Sequence, residues 1–408
     1  MTERTDIVVA GGGLNGTALA LALASGGFSV TMVDPVKAEI RADAGFDGRG
    51  YALSLSSVQV LKALGLWAGL QGNAQPILDI RITDGRPGEG PSPLMLEFDH
   101  REIEEGPMGF MIEDRFVRQA LLAAVAKSDL IDHRDGVGAA DHKITPADVT
   151  VSFTDGGTCE AALLIGCDGK ASPTARRSGI RRQGWAYGQT ALVCAVSHEL
   201  PHEGCAHQYF LPAGPLAILP LPGNRSSIVW TERETEARRI MALDEAGYLE
   251  VLRPRFGGFL GEISLAGARF SYPLSLSLTD RLVSDRVALA GDAAHAVHPI
   301  AGQGLNAGLK DVAALAEVLV DARRRGEDIG TTLVLERYQR WRRFDIATLA
   351  LATDAFNRLF SNNNPILRVG RDLGLAAVNA MPGLRRGFIR EAAGLTGDLP
   401  RLAKGQPL

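Results

Sequence analysis

The sequence is poor in the features that mark several common protein classes. Its 408 residues include four cysteines, none of them in a C-x-x-C pair. That spacing indicates neither a zinc site nor a disulfide framework, and it favours a reducing cytosol. No apolar run approaches the ~20 residues that a membrane-spanning helix needs. The first residues run directly into a strand pattern, so we also expect no signal peptide.

Charge is modest as well. The net charge is −4, which argues against bulk nucleic-acid binding. Hydrophobic residues make up 46% of the chain and charged residues 22%, which is typical of a globular protein with room for two or three domains. The charge is uneven, because from Ile366 onward seven basic residues face three acidic ones. The C-terminal region is therefore locally basic.

The N-terminal region carries a strand, a glycine-rich turn and a helix in that order. Residues 7–10 are apolar throughout, as in a buried parallel strand, and residues 11–16 fit G-x-G-x-x-G. The three glycines of this pattern permit a tight turn, the approach of a pyrophosphate and close helix–strand packing. A second strand, residues 30–33, ends at an acid placed to bind ribose hydroxyls. These features predict a nucleotide site formed by Gly11, Gly13, Leu14, Asn15, Gly16 and Asp34.

Two arginines lie just ahead of predicted helices and are further candidates. Arg49 precedes a helix with apolar residues between positions 58 and 66, and Arg115 precedes one over residues 116–125. A cation at such a point can meet a phosphate or the edge of a cofactor ring. The alternative for each is a solvated loop arginine.

Two further strands end at an aspartate beside a glycine. Residues 163–166 lead to Asp168-Gly169, and residues 287–290 lead to Gly291-Asp292. Taken alone, Asp168 is more typical of an Asx turn. The second pattern continues through Pro299 to a glycine-rich turn and a helix, residues 302–308. Together with the N-terminal signature, these strand ends predict one long cofactor held at both ends.

The three signatures resemble the para-hydroxybenzoate hydroxylase fold of single-component flavoprotein monooxygenases. Longer segments, at residues 214–221, 227–231, 295–299, 353–360 and 371–375, are similar to the ubiquinone-biosynthesis flavin hydroxylases. The resemblance covers nearly the whole chain. Tyr209 departs from the family pattern, since many relatives have arginine there, and this makes Tyr209 a candidate pocket residue.

The resemblance implies FAD as the cofactor and NADPH or NADH as the electron donor. Asp292 would bind the ribityl chain, and Asp168 with Arg176 would serve FAD and the nicotinamide cofactor together. Pro299 would stiffen the loop beside the isoalloxazine ring, which would be lined by Gly302, Gln303, Gly304, Leu305 and Asn306. No side chain is assigned a catalytic role, because the flavin carries the chemistry. No metal is expected, since His295 and His298 lack further ligands nearby.

The implied reaction is hydroxylation of the aromatic ring of a polyprenyl phenol in ubiquinone biosynthesis. Reduced flavin would add O2 to give a hydroperoxide whose distal oxygen the phenol ring attacks, in a site that must exclude water. A hydroxylase of another phenol or lipid, a polyprenyl reductase and a non-catalytic FAD-bound scaffold stay open as alternatives. A flavin-dependent halogenase is disfavoured because the four tryptophans are isolated from one another.

The fold class that follows is α/β, with a Rossmann-like FAD-binding domain, an antiparallel β-sheet substrate domain and C-terminal helices. We expect the FAD-binding domain in three parts, residues 1–75, 101–180 and 274–340. The substrate domain takes residues 181–273, where short apolar segments alternate with Gly/Pro turns, and strands from residues 76–100. Residues 341–408 form the helical region.

The C-terminal helices provide the evidence on where the protein lies in the cell. Leu367, Leu373 and Leu375 lie beside Arg368 and Arg371, which predicts an apolar face bordered by cations. Such a face either caps the FAD-binding domain or meets anionic lipid or a partner, including other ubiquinone-biosynthesis proteins. We expect a cytoplasmic protein. It is either free in the cytoplasm or in peripheral contact with the inner face of the cytoplasmic membrane.

Overall fold

The computed structural model describes residues 3–297, 303–361 and 365–408, without the side chains of residues 91, 93, 365–369 and 372. Its strands in chain order are β1 (Glu3–Ala10), β2 (Val30–Asp34), β3 (Gly50–Ser54), β4 (Ala74–Ile77), β5 (Asp79–Arg86), β6 (Gly90–Asp99), β7 (Gly109–Glu113), β8 (Ile131–Asp135), β9 (Ala139–Ile144), β10 (Val149–Phe153), β11 (Thr158–Gly166), β12 (Arg182–His198), β13 (Cys205–Leu211), β14 (Gly214–Leu221), β15 (Arg225–Arg233), β16 (Ile263–Leu265), β17 (Phe270–Thr279), β18 (Val283–Ser284), β19 (Val287–Leu289) and β20 (His295–Ala296).

The α-helices range from single turns to long C-terminal segments. In chain order they are α1 (Leu14–Ser25), α2 (Ala38–Arg41), α3 (Leu55–Ala63), α4 (Trp67–Leu70), α5 (Asp114–Val125), α6 (Pro173–Arg177), α7 (Glu234–Met241), α8 (Glu245–Phe256), α9 (Gln303–Arg324), α10 (Thr332–Phe360), α11 (Pro365–Asn379) and α12 (Pro382–Ala392).

The first sheet has the order β18-β19-β11-β1-β2-β8, and its strands β19, β11, β1, β2 and β8 are parallel. The central strands β11, β1 and β2 are buried on both faces, because α1 and α9 pack on one face and β10 packs on the other. Helix α1 is packed between this sheet and α9, and a Cβ at Gly26 would lie 2.3 Å from Val320 Cγ2. The close helix packing fixes the carboxyl ends of the parallel strands at one edge.

The second sheet has the order β20-β17-β12-β15-β14-β13-β5-β6. Strands β5 and β6 come from the segment that precedes α5, and they pair at the edge of this sheet beside β13. The β13–β5 pair is parallel, whereas the other pairs in this order are antiparallel. The sheet is therefore mixed at the edge that β5 and β6 form.

The two faces of the second sheet are covered differently. On one face α7 and α8 pack over a core that contains Trp230 and Tyr248. On the other face Phe360 of α10, Leu375 of α11 and Ile389 of α12 close over apolar residues of β5, β6 and β13. A third, small sheet, β3-β7-β4, lies between this region and the first sheet. The C-terminal helices thus cover the second face of this sheet.

Candidate functional site

The three sequence signatures meet at the carboxyl edge of the first sheet. The Gly11 amide donates to Val33 O at 2.8 Å, the Cys167 amide to Ala10 O at 2.7 Å, and the Ala290 amide to Gly166 O at 3.0 Å. These hydrogen bonds place the ends of β1, β2, β11 and β19 side by side. In parallel α/β sheets such an edge is where ligands bind.

The glycine-rich turn leaves space above the start of α1. Gly11 has φ +110°, and a Cβ there would lie 2.3 Å from Cys167 O. A Cβ at Gly16 would lie 1.8 Å from Gly11 O, whereas a Cβ at Gly13 would meet nothing within 4 Å. No side chain caps the N-terminus of α1. Its first-turn amides, which follow Gly13, are therefore free to bind an anion such as a pyrophosphate.

Asn15 connects the first signature to the third. Its side chain lies between two glycines, since a Cβ at Gly291 or at Gly308 would lie 2.4 Å or 2.3 Å from Asn15 Nδ2. The Asn15 Oδ1 atom is buried and has no hydrogen-bond partner among the described residues. A buried acceptor of this kind is costly unless a donor reaches it. A hydroxyl of the ribityl chain would supply that donor, so this corner of the site fits FAD.

Asp34, predicted to bind the ribose, is buried and fully engaged. Its carboxylate accepts hydrogen bonds from the Gly12 amide at 2.6 Å, the Val36 amide at 2.8 Å and Arg41 Nη2 at 2.8 Å. Sequence reasoning missed Arg41, because it lies in the short helix α2, which carries no motif. A ribose that binds to Asp34 would have to replace the contact with Arg41.

Asp168 lies at the start of α6. Its carboxylate accepts from Thr174 N at 2.9 Å and Thr174 Oγ1 at 2.7 Å, and from Ser172 Oγ. Arg176 is exposed on α6, and within the described residues no ion pair joins it to Asp168. Asp168 therefore acts as a helix-capping group in this structure, at the strand end where the resemblance places a cofactor contact.

Asp292 follows β19 at the carboxyl edge of the first sheet. The loss of hydration among protein atoms raises the pKa of its carboxyl, against the opposing charges of His295, Arg182 and Lys170. Arg182 also holds the main chain of this turn, with Nη1 2.5 Å from Ala293 O and Nη2 3.2 Å from Asp292 O. Strand β12 of the second sheet thereby fixes the turn on which Asp292 lies.

A buried ionic network supports the same turn from behind. Asp311 of α9 is fully buried and accepts hydrogen bonds from the Gly291 amide at 3.0 Å, His295 Nε2 at 2.5 Å and Arg342 Nε at 2.7 Å. Sequence analysis missed Asp311 and Arg342. The available signal was an acid within an otherwise apolar helical stretch, since such a residue is seldom fully buried unless it is paired.

The start of α9 is tied to the small sheet by Asn306. Its Oδ1 accepts from the Ser54 amide at 2.9 Å and Ser57 Oγ at 2.7 Å, and its Nδ2 donates to Ala52 O at 2.8 Å. Gln303, Gly304 and Leu305 complete the first turn of the helix. The predicted cofactor residues Pro299 and Gly302, and also His298, lie outside the described residues.

The two predicted arginines are both matched by carboxylates. Arg49 Nη2 lies 2.6 Å from Asp47 Oδ2 and 3.4 Å from Asp114 Oδ2, and Arg115 Nε lies 2.7 Å from Glu113 Oε2. Arg49 precedes β3 rather than a helix, which corrects the predicted local structure. Neither guanidinium is a free cation in this structure.

An apolar cavity among the described residues extends from the α9 end to the C-terminal helices. It measures about 800 Å³ and borders Ser54, Gln303 and Asn306 at one end. Its walls come from the second sheet and from α10, α11 and α12, and they include Ile80, Ile82, Leu96, Phe98, Phe210, Phe360, Leu375 and Phe388. A cavity with this lining suits a long apolar ligand rather than a polar one.

Tyr209, the predicted pocket residue, faces a different cavity. It lies on the opposite side of β13 from Gln208 and Phe210, in a pocket of about 800 Å³ that also contains Arg81 and Phe259. Burial raises the pKa of Tyr209 to about 12 and lowers the pKa of the neighbouring His207 to about 4. Alternation along β13 therefore separates Tyr209 from the apolar cavity by the thickness of the sheet.

Residues 4–348 match the family described as FAD binding domain. The chain is 44% identical over 406 residues to the ubiquinone hydroxylase UbiL of Rhodospirillum rubrum, covering 99% of this chain and 93% of that protein. It is 34% identical over 396 residues to the 3-demethoxyubiquinol 3-hydroxylase of Escherichia coli, covering 96% and 99% of the two chains.

The fold also matches solved structures. The crystal structure of p-nitrophenol 4-monooxygenase PnpA from Pseudomonas putida superimposes with a TM-score of 0.80 at 19% identity, covering 97% of this chain and 99% of that one. At that identity the match bears on the fold alone. It confirms the predicted α/β class.

Proposed function

The chain belongs to the FAD-binding flavin hydroxylases and is an FAD-dependent monooxygenase, and from this premise we propose that it hydroxylates the ring of a polyprenyl phenol in ubiquinone biosynthesis. FAD is its cofactor, and NAD(P)H is the donor typical of the family. The observation that carries the substrate proposal is the apolar cavity between the start of α9 and the C-terminal helices. A phenol ring at its α9 end leaves the remaining volume for prenyl units.

The proposed cofactor contacts follow from the geometry of the strand ends. The amides after Gly13 and the open space beside it would hold the pyrophosphate. Asp34 would bind the ribose, and Asp292 with Asn15 would bind the ribityl chain. The isoalloxazine ring would lie against the first turn of α9, from Gln303 to Asn306. Asp168, Arg49 and Arg115 remain proposed contacts that would need to exchange their present partners.

When bound, FAD supplies the electron transfer and dioxygen chemistry that side chains lack. The chain contributes orientation, exclusion of water and electrostatics. The positive end of the α9 dipole, whose first-turn amides face the site, stabilises negative charge that develops on a ring placed there. The apolar walls keep water from the reacting atoms. Asp311 and Arg342 hold the turn and the helix in register.

We also propose that the C-terminal helices contact lipid. Phe356, Leu359 and Phe388 line the cavity yet are 42–44% exposed, so the cavity opens at the surface that they form. Leu373 and Leu384 extend that surface with exposures of 58% and 45%. A polyprenyl substrate resides in a membrane, and such an opening would admit it without passage through water. In the part of the chain that the structure describes, no helix is long and apolar enough to cross a bilayer.

The predicted cation-bordered face differs from the one that the structure presents. Leu375 and Arg371 are buried, and Arg371 is paired with Asp84. The side chains of Leu367 and Arg368 lie outside the described set. The apolar side chains that are exposed, rather than a row of arginines, support the lipid proposal.

A flotation experiment tests lipid contact. We expect the double variant Leu373→Ser/Leu384→Ser to float less with anionic liposomes than the unchanged protein. Leu130→Ser/Leu200→Ser is the matched control, because these leucines are 42% and 47% exposed far from the C-terminal helices, and it should float normally. Equal flotation of both variants, or failure of the unchanged protein to float, would contradict the proposal.

Expression in cells that lack each ubiquinone hydroxylase in turn tests the substrate proposal. We expect the chain to remove one accumulated polyprenyl phenol, identified by mass, and to restore its hydroxylated product. A scaffold would bind FAD without changing any intermediate. A reductase would consume its substrate in the absence of O2 and would form no hydroxylated product, so it would not give the expected result.

A further inference from the structure

Gln208 places a polar side chain on the largely apolar sheet face that lines the cavity. In the row across the sheet, Gln208 of β13 lies between Ile82 of β5 and Ala217 of β14. Ile82 in turn pairs with Leu96 of β6, and Ala217 pairs with Val229 of β15. The neighbours of Gln208 in this row are therefore all apolar. The glutamine amide projects from a hydrocarbon surface.

The amide nitrogen of Gln208 makes no hydrogen bond to the described residues. Its Nε2 atom is buried and has no hydrogen-bond partner in the described chain. Gln189 on β12 provides the contrast, because it donates to Ala213 O at 2.7 Å and accepts from Asn357 at 3.0 Å. An amide nitrogen left unpaired beside an apolar cavity is destabilising. A fold that needed only shape at this position would favour leucine.

The other polar groups of the cavity walls are accounted for. The Ser54 amide donates to Asn306 Oδ1, and Ser54 Oγ accepts from the Ser57 amide. Arg371 pairs with Asp84 and donates to Leu359 O at 2.8 Å. The ring of His207 packs against Phe259, with ring centroids 4.5 Å apart, on the far side of β13. Gln303 lies at the α9 end, where the flavin ring is proposed.

We propose that the Gln208 amide hydrogen-bonds the ring hydroxyl of the phenol and so sets which ring carbon faces the flavin. The inference rests on the proposed function and deepens it by assigning the residue that orients the substrate. An amide presents both a donor and an acceptor, so it can pair with a phenol hydroxyl in either direction. Among the described residues that line the cavity, only Gln208 has a buried polar side-chain atom without a hydrogen-bond partner, so this hydrogen bond would fix the rotation of the ring. Hydroxylation needs such alignment of the reacting atoms.

The test compares binding and stability of the Gln208→Leu variant. The FAD-loaded protein is titrated with a short-chain prenyl phenol and with the deoxy analogue, which lacks the ring hydroxyl, and the flavin absorbance change is followed. We expect Gln208→Leu to bind the phenol about 10–100-fold more weakly and to bind the deoxy analogue much as before. Gln75→Leu makes the same chemical change on β4, where the amide bonds only to the adjacent Pro76 O, and it should leave both titrations unchanged.

Thermal unfolding separates a positioning role from a structural one. Because the unpaired amide is removed, Gln208→Leu should be at least as stable as the unchanged protein. Product analysis should show uncoupled NAD(P)H oxidation or a second ring isomer. Unchanged phenol affinity, or a loss of stability with unchanged product, would overturn the proposal.

Failure of the proposed function looks different. If the unchanged protein binds neither the phenol nor the deoxy analogue, the substrate proposal fails as a whole and with it the role of Gln208. If the unchanged protein binds both ligands equally well, the substrate class stands and the role of Gln208 is wrong. Gln208→Asn, which keeps the amide on a shorter side chain, should recover part of the discrimination.

Discussion

At the scale of single residues, the site depends on buried charges that are matched in place. Burial alone would raise the pKa of Asp311, but the charges and hydrogen bonds of His295 and Arg342 lower it below its ordinary value. A folded-state pKa below the unfolded value means that the ionised carboxylate stabilises the fold above about pH 4. That stabilisation is lost as the pH falls through the lowered pKa.

Asp311→Asn should therefore destabilise the protein by about 3–5 kcal/mol at pH 7, because it leaves the buried Arg342 guanidinium without its buried counter-charge. The deficit relative to the unchanged protein should shrink below about pH 4. Denaturant unfolding at several pH values measures both effects. Asp345→Asn is the control, since Asp345 contacts the same Arg342 but is 45% exposed, and it should cost less than about 1 kcal/mol. Equal costs for the two variants would refute this account of the network.

His207 provides a pH effect of its own. Burial lowers its pKa from 6.5 to about 4, so between these values the unfolded chain binds a proton that the folded protein does not. Stability should fall by roughly 3 kcal/mol as the pH drops through that interval. His207→Phe, which keeps a ring against Phe259, should flatten this part of the profile of unfolding free energy against pH. Parallel profiles for the two proteins would show that His207 does not titrate as inferred.

Single residues also show where sequence reasoning succeeds and where it stops. The spacing of Gly11, Gly13 and Gly16 predicts a turn whose steric needs the structure displays directly. The partners of Asp34 could not be predicted, because Arg41 is brought to it by a turn without a motif. Tyr209 was a candidate pocket residue because it departs from a family pattern, whereas no sequence pattern marks the adjacent Gln208. Only strand pairing reveals which of the two faces the cavity.

At the scale of elements, the site is assembled where α1, α9 and the strand ends meet. Gly308 of α9 gives Asn15 of α1 its space, and Gly291 bounds the same side chain from the strand end. Three segments that are far apart in sequence thus meet at the Asn15 side chain. Periodicity predicts each helix, but it does not predict which glycine of one helix meets which side chain of another.

Gly308→Ala should displace Asn15, because the new Cβ would lie 2.3 Å from its Nδ2. We expect overpacking to cost about 1–3 kcal/mol and FAD to be retained more weakly on dialysis. Gly387→Ala in α12 has open space around the new methyl group and should be neutral or stabilising by about 1 kcal/mol. Full FAD retention by Gly308→Ala would contradict the proposed packing.

Helix α11 is fixed to the second sheet by a buried ion pair. Arg371 Nη2 lies 2.5 Å from Asp84 Oδ2, and both side chains are buried. Arg371→Met should loosen α11 by about 3–5 kcal/mol, since Asp84 is left buried and unpaired. Hydrogen exchange of α11 amides measures the loss. The double variant Asp84→Asn/Arg371→Met should recover much of it, and a double variant no better than Arg371→Met would argue against the pair as the cause.

Element types were easier to predict than element partners. Prolines at positions 365 and 382 start α11 and α12, and apolar runs mark the inner strands of the first sheet. The parallel β13–β5 pair had no such signal, because alternation within a strand says nothing about the direction of its neighbour. The apolar cavity results from these strand pairings and from the helices that cover the sheet. The alternation of apolar and polar residues therefore could not predict which residues line it.

At the scale of the whole molecule, one sheet edge and one sheet face are brought together. The edge of the first sheet offers glycine turns, helix N-termini and an unpaired Asn15 oxygen to a dinucleotide. The face of the second sheet offers an apolar cavity that begins at the same helix, α9, and opens among exposed apolar residues. The family resemblance predicted the cofactor and the reaction correctly. Whether the C-terminal helices meet lipid was left open by the sequence and stays a proposal.

The most direct test is the source of the oxygen atom in the product. The FAD-loaded chain is supplied with NAD(P)H, the polyprenyl phenol that it converts and isotopically labelled O2 in ordinary water, and the product is analysed by mass. The account predicts one labelled oxygen on the ring. A hydroxylated product without the label would contradict it, as would a colourless protein that takes up no FAD.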